Sequence, residues 1–306
     1  MRRLSIAIVG LGDIAQKAYL PIVTQHQDIT PILCTRNQET LSELQSKYRI
    51  EQGFTDYQQL LASKPDAVMI HSHTSAHFEM AKQALEANIA TFVDKPLADN
   101  LEQAEELIAL AKQQDMPLFL GFNRRFAPKL TAATIEPIRH LRWQKNRHNL
   151  SAPARSFVFD DFIHVIDGLC FYAGVQSFSD LNDWQVFSQK TPEGDIVAVH
   201  IQFTHQGRLF QGSMDRYNGK AEEVIEITGA HQKWRINALT EAVLMQDGAS
   251  FNRSFDDWQT TLYKRGFDGM LTAWLNAIEL NKADNIELQQ ALLTHQLCEK
   301  VVAAIS

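Results

Sequence analysis

Residues 4–9 form a short apolar run that passes directly into Gly10-Leu11-Gly12-Asp13-Ile14-Ala15, a G-x-G-x-x-A turn that opens a helical stretch. At a strand end, the first glycine permits a tight turn. The second presents no Cβ to a phosphate approaching the backbone, and the small third residue lets the helix sit close to the strand. The helix N-terminus then faces the anion. Glycine turns are common, but the order strand, glycine turn, helix is the context that gives this one meaning. It predicts a dinucleotide site built from Gly10, Gly12, Asp13, Ile14 and Ala15.

Up to Gly121 the pattern alternates between strand-like runs (5–9, 30–34, 67–71, 91–93, 118–121) and helical ones (15–25, 39–47, 75–88, 100–113), with Ser75 and Asn100 as N-caps. Such alternation is the signature of a doubly wound, parallel α/β sheet. After Phe122, runs at 196–204, 207–217, 222–228, 233–237 and 242–246 follow one another through short Gly, Asp and Asn turns, which implies a mainly antiparallel open sheet. Val197, Val199, Ile201 and Phe203 mark its buried face, and the face with Ala198 and His200 is left for helices or a second subunit. Residues 269–305 return to helix. A chain of 306 residues suits two domains: a nucleotide-binding domain over 1–122 and an α+β substrate and oligomerisation domain over 123–306.

The net charge of -7 gives no reason to expect nucleic acid or an anionic membrane as partner. No apolar stretch approaches the roughly 18 residues of a membrane span. Arg2-Arg3 imitates the start of a secretory leader, but the apolar run behind it is short and meets Asp13, so it reads as a first strand. Cys34, Cys170 and Cys298 lie far apart without a C-x-x-C pair, as expected of buried thiols in a reducing cytoplasm.

Three polar clusters remain. Asp94-Lys95-Pro96 follows a parallel strand, at the end of the sheet where ligands of open α/β folds bind. Asn123-Arg124-Arg125 follows the last strand of the first domain. In Asp160-Asp161-Phe162-Ile163-His164, a helical reading puts Asp160 and His164 on one face, where a carboxylate holds an imidazole in the tautomer that acid–base chemistry needs. An irregular turn would make Asp161 the partner instead. His71, His73 and His77 invite a metal reading, but no acidic or cysteine ligand accompanies them, so no metal is expected. They line the cofactor's edge or cap the following helix, and His73 and His77 are assigned to the cofactor.

Taken in order, G-L-G-D-I-A, H-T-S-A-H, D-K-P, G-F-N-R-R-F and D-D-F-I-H-V-I-D resemble the glucose–fructose oxidoreductase/inositol dehydrogenase (Gfo/Idh/MocA) family over nearly the whole chain. The resemblance implies an N-terminal Rossmann domain and a C-terminal domain with a large sheet often used for oligomer contacts, hence a homodimer. It also implies NAD(P)-dependent oxidation or reduction of a small molecule such as a sugar or polyol. Lys95 matches the lysine of the family's E-K-P motif, and Asp160 and His164 match the acid and histidine of D-x-G-x-H. Asp94 stands where the family has Glu, and Phe162 where it has Gly, which adds bulk beside the substrate pocket. The stretch from Arg125 to Asp160 is short for the family.

In dinucleotide folds an acid at the end of the second strand binds both ribose hydroxyls, whereas NADP enzymes supply a cation there. This strand ends in Thr35-Arg36, so NADP(H) is expected over NAD(H). The catalytic set is then Lys95, Asp160 and His164. Asp94 and Asn123 join the cofactor side, and Arg124 and Phe162 join Lys95 and His164 on the substrate side. The rival expectation is a non-catalytic NAD(P)-binding sensor or regulatory protein.

Overall fold

The computed structural model describes residues 3–134 and 137–306; Arg2 of the leader-like pair lies outside them. The chain divides into two compact units, Met1–Gly121 with Phe267–Leu292, and Phe122–Gly266 with Leu293–Ser306.

In the first unit, strands β1 (Leu4–Val9), β2 (Ile29–Cys34), β3 (Gly53–Phe54), β4 (Ala67–Ile70), β5 (Ala90–Val93) and β6 (Leu118–Leu120) form one sheet in the order β3-β2-β1-β4-β5-β6. Every pairing in it is parallel. This is the doubly wound order expected of a dinucleotide fold. The central strands are Val-, Ile- and Ala-rich and buried, because helices cover both faces of such a sheet. On one flank Trp274, from the Phe267–Leu280 helix, sits 5.9 and 5.8 Å from the rings of Phe92 and Phe119.

The departures from the expected pattern are local. The two-residue strand β3 and the helix Tyr57–Ala62 are too short to show a period. Asn100 caps its helix as expected, accepting a hydrogen bond from the Gln103 N–H at 3.0 Å. Ser75 does not: the N-cap lies two residues earlier, at His73, and Ser75 falls inside the helix Thr74–Glu86. After the glycine turn the first helix widens into a π turn over Ala15–Tyr19, where the Leu20 N–H reaches the Ala15 carbonyl. Pro21 is the physical reason, since it has no N–H to continue the regular ladder.

The second unit holds an eight-stranded sheet: β7 (His140–Asn146), β8 (Asn182–Lys190), β9 (Ile196–His205), β10 (Arg208–Asp215), β11 (Glu222–Thr228), β12 (Gln232–Asn237), β13 (Glu241–Gln246) and β14 (Ala249–Asn252), in the order β14-β13-β12-β11-β7-β10-β9-β8. Its pairings are antiparallel except β7 with β10. Val197, Val199, Ile201 and Phe203 are buried, as their alternation predicts. The helix Ile163–Ala173 packs on β7 and β10. Three strands escaped the sequence pattern. The edge strands β8 and β14 are mostly polar and exposed, and β7 carries Lys145 on its buried side, which masks the alternation.

Candidate functional site

The carboxyl ends of β1, β2 and β4 open into a cavity of about 1190 Å³ in the first unit. Its lining includes Gly10, Gly12, Asp13 and Ile14 from the glycine turn, Thr35 and Arg36 after β2, and His71 and His73 after β4. Gly10 has φ 83°, and its N–H donates to the Cys34 carbonyl at 3.0 Å. A Cβ on Gly10 would meet the Ser72 backbone nitrogen at 2.6 Å, so only glycine fits. A Cβ on Gly12 would meet nothing within 4 Å, so the space that a pyrophosphate needs is open beside it. Ala15 lies behind this floor and is fully buried. The residues present therefore fit a dinucleotide.

Arg36 is exposed at the cavity rim, and Asn37 behind it caps the next helix by accepting from the Thr40 N–H at 3.0 Å. Asp56 also lines the cavity, but one of its carboxylate oxygens caps the Tyr57–Ala62 helix, accepting from the Gln59 N–H at 2.9 Å. Asp13 pairs on the surface with Lys17 at 2.7 Å.

The Lys95–Pro96 peptide bond is cis. Two aromatic groups hold the turn that contains it. His77 is buried, with Nδ1 2.7 Å from the Pro96 carbonyl oxygen and Nε2 3.0 Å from that of Ser72, so its ring ties the turn to the segment after β4. It does not line the cavity. Tyr19, placed by the π turn, donates its hydroxyl to Asp94 Oδ1 at 3.1 Å, and the same oxygen accepts the Lys95 N–H at 3.0 Å. Burial, reinforced by the Asp94 carboxylate, raises the Tyr19 hydroxyl well above its usual pKa, so it stays protonated and donates to Asp94.

His71 stacks on Tyr19 with ring centroids 3.9 Å apart. Neither ring nitrogen has a hydrogen-bond partner among the described residues. Burial, with a smaller contribution from His77, lowers its pKa to about 3. The ring is a neutral wall of the cavity.

In the second unit the side chains around the expected catalytic pair form a charged cluster. The segment before the helix Ile163–Ala173 is a π turn, Val158–Phe162, not a continuous α-helix. In it Asp160 is exposed and Asp161 is buried. Asp161 accepts from Lys145 and from Arg147 Nε at 2.6 Å and Nη2 at 2.8 Å, and lies 3.7 Å from Arg216. His164 is buried, edge-on to Phe122 at 6.4 Å. Phe162 is wholly buried against Phe157, so its bulk lies in the core and presents no surface to a solute.

Asn123 and Arg124, expected beside cofactor and substrate, are buried and engaged within this unit. Arg124 donates through Nε and Nη2 to Glu223 at 2.7 and 3.0 Å and through Nη1 to Asn123 Oδ1 at 3.3 Å. Asn123 Nδ2 donates to the Arg265 carbonyl at 2.8 Å. Burial alone would raise Glu223, but Arg124 outweighs it, with Lys145 and the Trp143 N–H in support, and brings the carboxyl down to about 2. The pairing thus overcomes the desolvation cost, as bidentate geometry allows. Arg125 is likewise sequestered, its Nε 3.1 Å from Asp167, which Thr294 also contacts at 3.2 Å.

Lys145, Arg147, Arg216, Glu223 and Arg265 were not singled out by sequence reasoning. The available signal was Lys145 and Glu223 interrupting apolar alternation in neighbouring strands, where they are cross-strand partners. Among the described residues no three His, Cys, Asp or Glu side chains gather as a metal would require. All three cysteines are free and buried.

Residues 4–122 match the family described as an oxidoreductase family with an NAD-binding Rossmann fold, and residues 129–247 match a YceM-like C-terminal domain. The YceM protein of Salmonella typhimurium is 30% identical, with 98% of this chain and 97% of that protein covered. The chain belongs to the Gfo/Idh/MocA oxidoreductase family. A Gfo/Idh/MocA oxidoreductase from Vibrio cholerae shares the structure with TM-score 0.92 and 36% identity, covering 99% of this chain and 98% of that one. A dehydrogenase, MviM, from Clostridium difficile matches with TM-score 0.91 and 27% identity, covering 99% and 100%. As a Gfo/Idh/MocA member the chain is an NAD(P)-dependent oxidoreductase, and among its described residues no helix is long and apolar enough to cross a membrane.

Proposed function

We propose that this chain is an NADP(H)-dependent oxidoreductase that interconverts a secondary alcohol and a carbonyl on a small molecule such as a sugar or polyol. The observation that carries the reading is the cavity over Gly10 and Gly12, with Thr35 and Arg36 rather than an acid at the end of β2. Arg36 is the cation for a ribose 2′-phosphate, and Thr35 lends a hydroxyl donor. Gly12, Asp13, Ile14, Ala15 and His73 frame the rest of the cofactor, with Asp94 toward its reactive end. A bound nicotinamide supplies or accepts the hydride.

Within this reading Lys95 holds the substrate oxygen and stabilises negative charge as it develops there. His164 gives or takes the hydroxyl proton, and Asp160 orients it. Acid–base help of this kind is typically worth about 10²–10⁴-fold. The three free thiols support a cytoplasmic site of action, and the resemblance to the family supports a homodimer.

Isothermal titration with NADP(H) and NAD(H) tests the cofactor, and nicotinamide absorbance over sugars, inositols and small ketones tests the chemistry. Tighter binding of NAD(H) overturns the role of Arg36. Cofactor binding with no turnover on any compound overturns the enzyme in favour of a sensor.

A further inference from the structure

The inward face of the second sheet changes character at one end of three adjacent strands. On β11 it runs Ile227, Ile225, Glu223; on β7, Leu141, Trp143, Lys145; on β10, Phe210, Met214 and, just beyond the strand, Arg216. All nine are buried. An apolar sheet face has no use for three charges side by side, since each loses hydration on burial.

The charges also fail to balance. Arg124, Lys145, Arg147, Arg216 and Arg265 are the cations that interact here, and Asp160, Asp161 and Glu223 are the carboxylates. Among the described residues, and setting aside the mutually paired Arg125 and Asp167, five positive charges thus face three negative ones, within a chain whose net charge is -7.

The excess falls on two arginines at the rim. Arg147 has a side chain 38% exposed and directs Nε and Nη2 to Asp161, which leaves Nη1 without a hydrogen-bond partner among the described residues. The guanidinium of Arg265, a residue at the surface, has none among them either. Its backbone is fixed, because Asn123 holds its carbonyl and a Cβ on Gly266 would strike the backbone of residues 123–127. Burial and the neighbouring Arg124 push both arginines below their usual pKa, with Arg216 and Arg265 adding to the effect on Arg147. Like charges held on a rigid frame in this way are relieved when an anion joins them.

We infer that the substrate of this chain carries an oxyanion, a carboxylate or a phosphate, and that Arg147 and Arg265 bind it at the charged end of the second sheet. The inference rests on the reading of the chain as an alcohol–carbonyl oxidoreductase, whose substrate class it narrows from neutral sugars and polyols to acidic ones.

The test is calorimetric titration of the NADP(H)-loaded protein with inorganic phosphate and, separately, with succinate at low ionic strength. One or both bind, and the stronger names the source of the oxyanion. Arg265→Gln and Arg147→Gln each weaken that binding about tenfold, the loss expected for one charge-assisted hydrogen bond, while NADP(H) affinity and melting temperature in Arg265→Gln stay as in the parent. No binding of either anion overturns the inference, as does binding that both variants leave unchanged, which identifies an adventitious ion only. Because this readout needs no turnover, it stands apart from the redox reading. Oxidation of neutral polyols in preference to sugar acids and sugar phosphates contradicts the anion and leaves the redox reading intact.

Discussion

Tyr19 Oη lies 3.1 Å from Asp94 Oδ1, so a residue of the first helix holds the carboxylate that precedes Lys95. The same phenol ring forms the floor on which His71 stacks. Removing the hydroxyl leaves the ring in place and takes one donor from a half-buried carboxylate. Tyr19→Phe is expected to lower the unfolding free energy by about 0.5–1.5 kcal/mol, the net worth of one hydrogen bond. Urea unfolding of the two proteins measures it, and equal midpoints would show that the hydroxyl contributes nothing.

The two glycines of the turn fail differently when substituted. Gly10 combines φ 83° with backbone of residues 71 and 72 under 3 Å from where a Cβ would stand. Gly10→Ala therefore destabilises the fold itself, by at least the roughly 1–3 kcal/mol of a strained residue. Gly12 has open space, so Gly12→Val folds normally and loses dinucleotide binding. Thermal melting with and without NADP(H) separates them: only Gly12→Val melts like the parent without cofactor and gains nothing from it.

Arg36 is the cation assigned to the 2′-phosphate. Arg36→Asp is expected to weaken NADP(H) by about 10- to 100-fold, the worth of a charge-assisted hydrogen bond plus new repulsion. NAD(H) affinity changes little or improves, because the aspartate can take the ribose hydroxyls. Titration of both cofactors decides it; parallel losses would show that Arg36 contacts no 2′-phosphate.

His71 makes stability depend on pH. Its pKa falls from 6.5 to about 3 on folding. Above pH 6.5 the ring is neutral in both states and costs nothing. As pH falls from 6.5 toward 3 the unfolded chain takes up a proton that the folded chain refuses, so stability drops and then levels off. His71→Phe keeps a ring against Tyr19 and removes the proton. Its unfolding free energy is expected to fall less steeply than the parent's between pH 6.5 and 5, measured by urea titration; matching slopes would contradict a neutral buried imidazole.

The nucleotide half of the protein was legible because each of its devices is local. Gly10, Gly12 and Arg36 are adjacent to the strand ends that position them, and the parallel strands announce themselves as apolar runs. The second unit was less so, for a physical reason. Lys145 and Glu223 face inward and pair across strands that are far apart in sequence, so neither strand alternates cleanly and their partnership has no local sign. The π turn at Val158–Phe162 is equally silent, yet it buries Asp161 among Lys145, Arg147 and Arg216 and leaves Asp160 exposed. The sequence puts Arg124 beside the substrate and gives Arg125 no partner, while in the fold each is buried on a carboxylate from a distant element, Glu223 and Asp167.

Turnover in Lys95→Met bears most directly on the account. Nicotinamide absorbance is followed for parent and variant over acidic and neutral sugars, inositols and small ketones, with both proteins saturated in NADP(H). Cofactor affinity is expected to stay unchanged and kcat to fall by about 10²–10³-fold, the usual effect of losing one group that stabilises charge on the reacting oxygen. A variant that turns over at the parent's rate would contradict it.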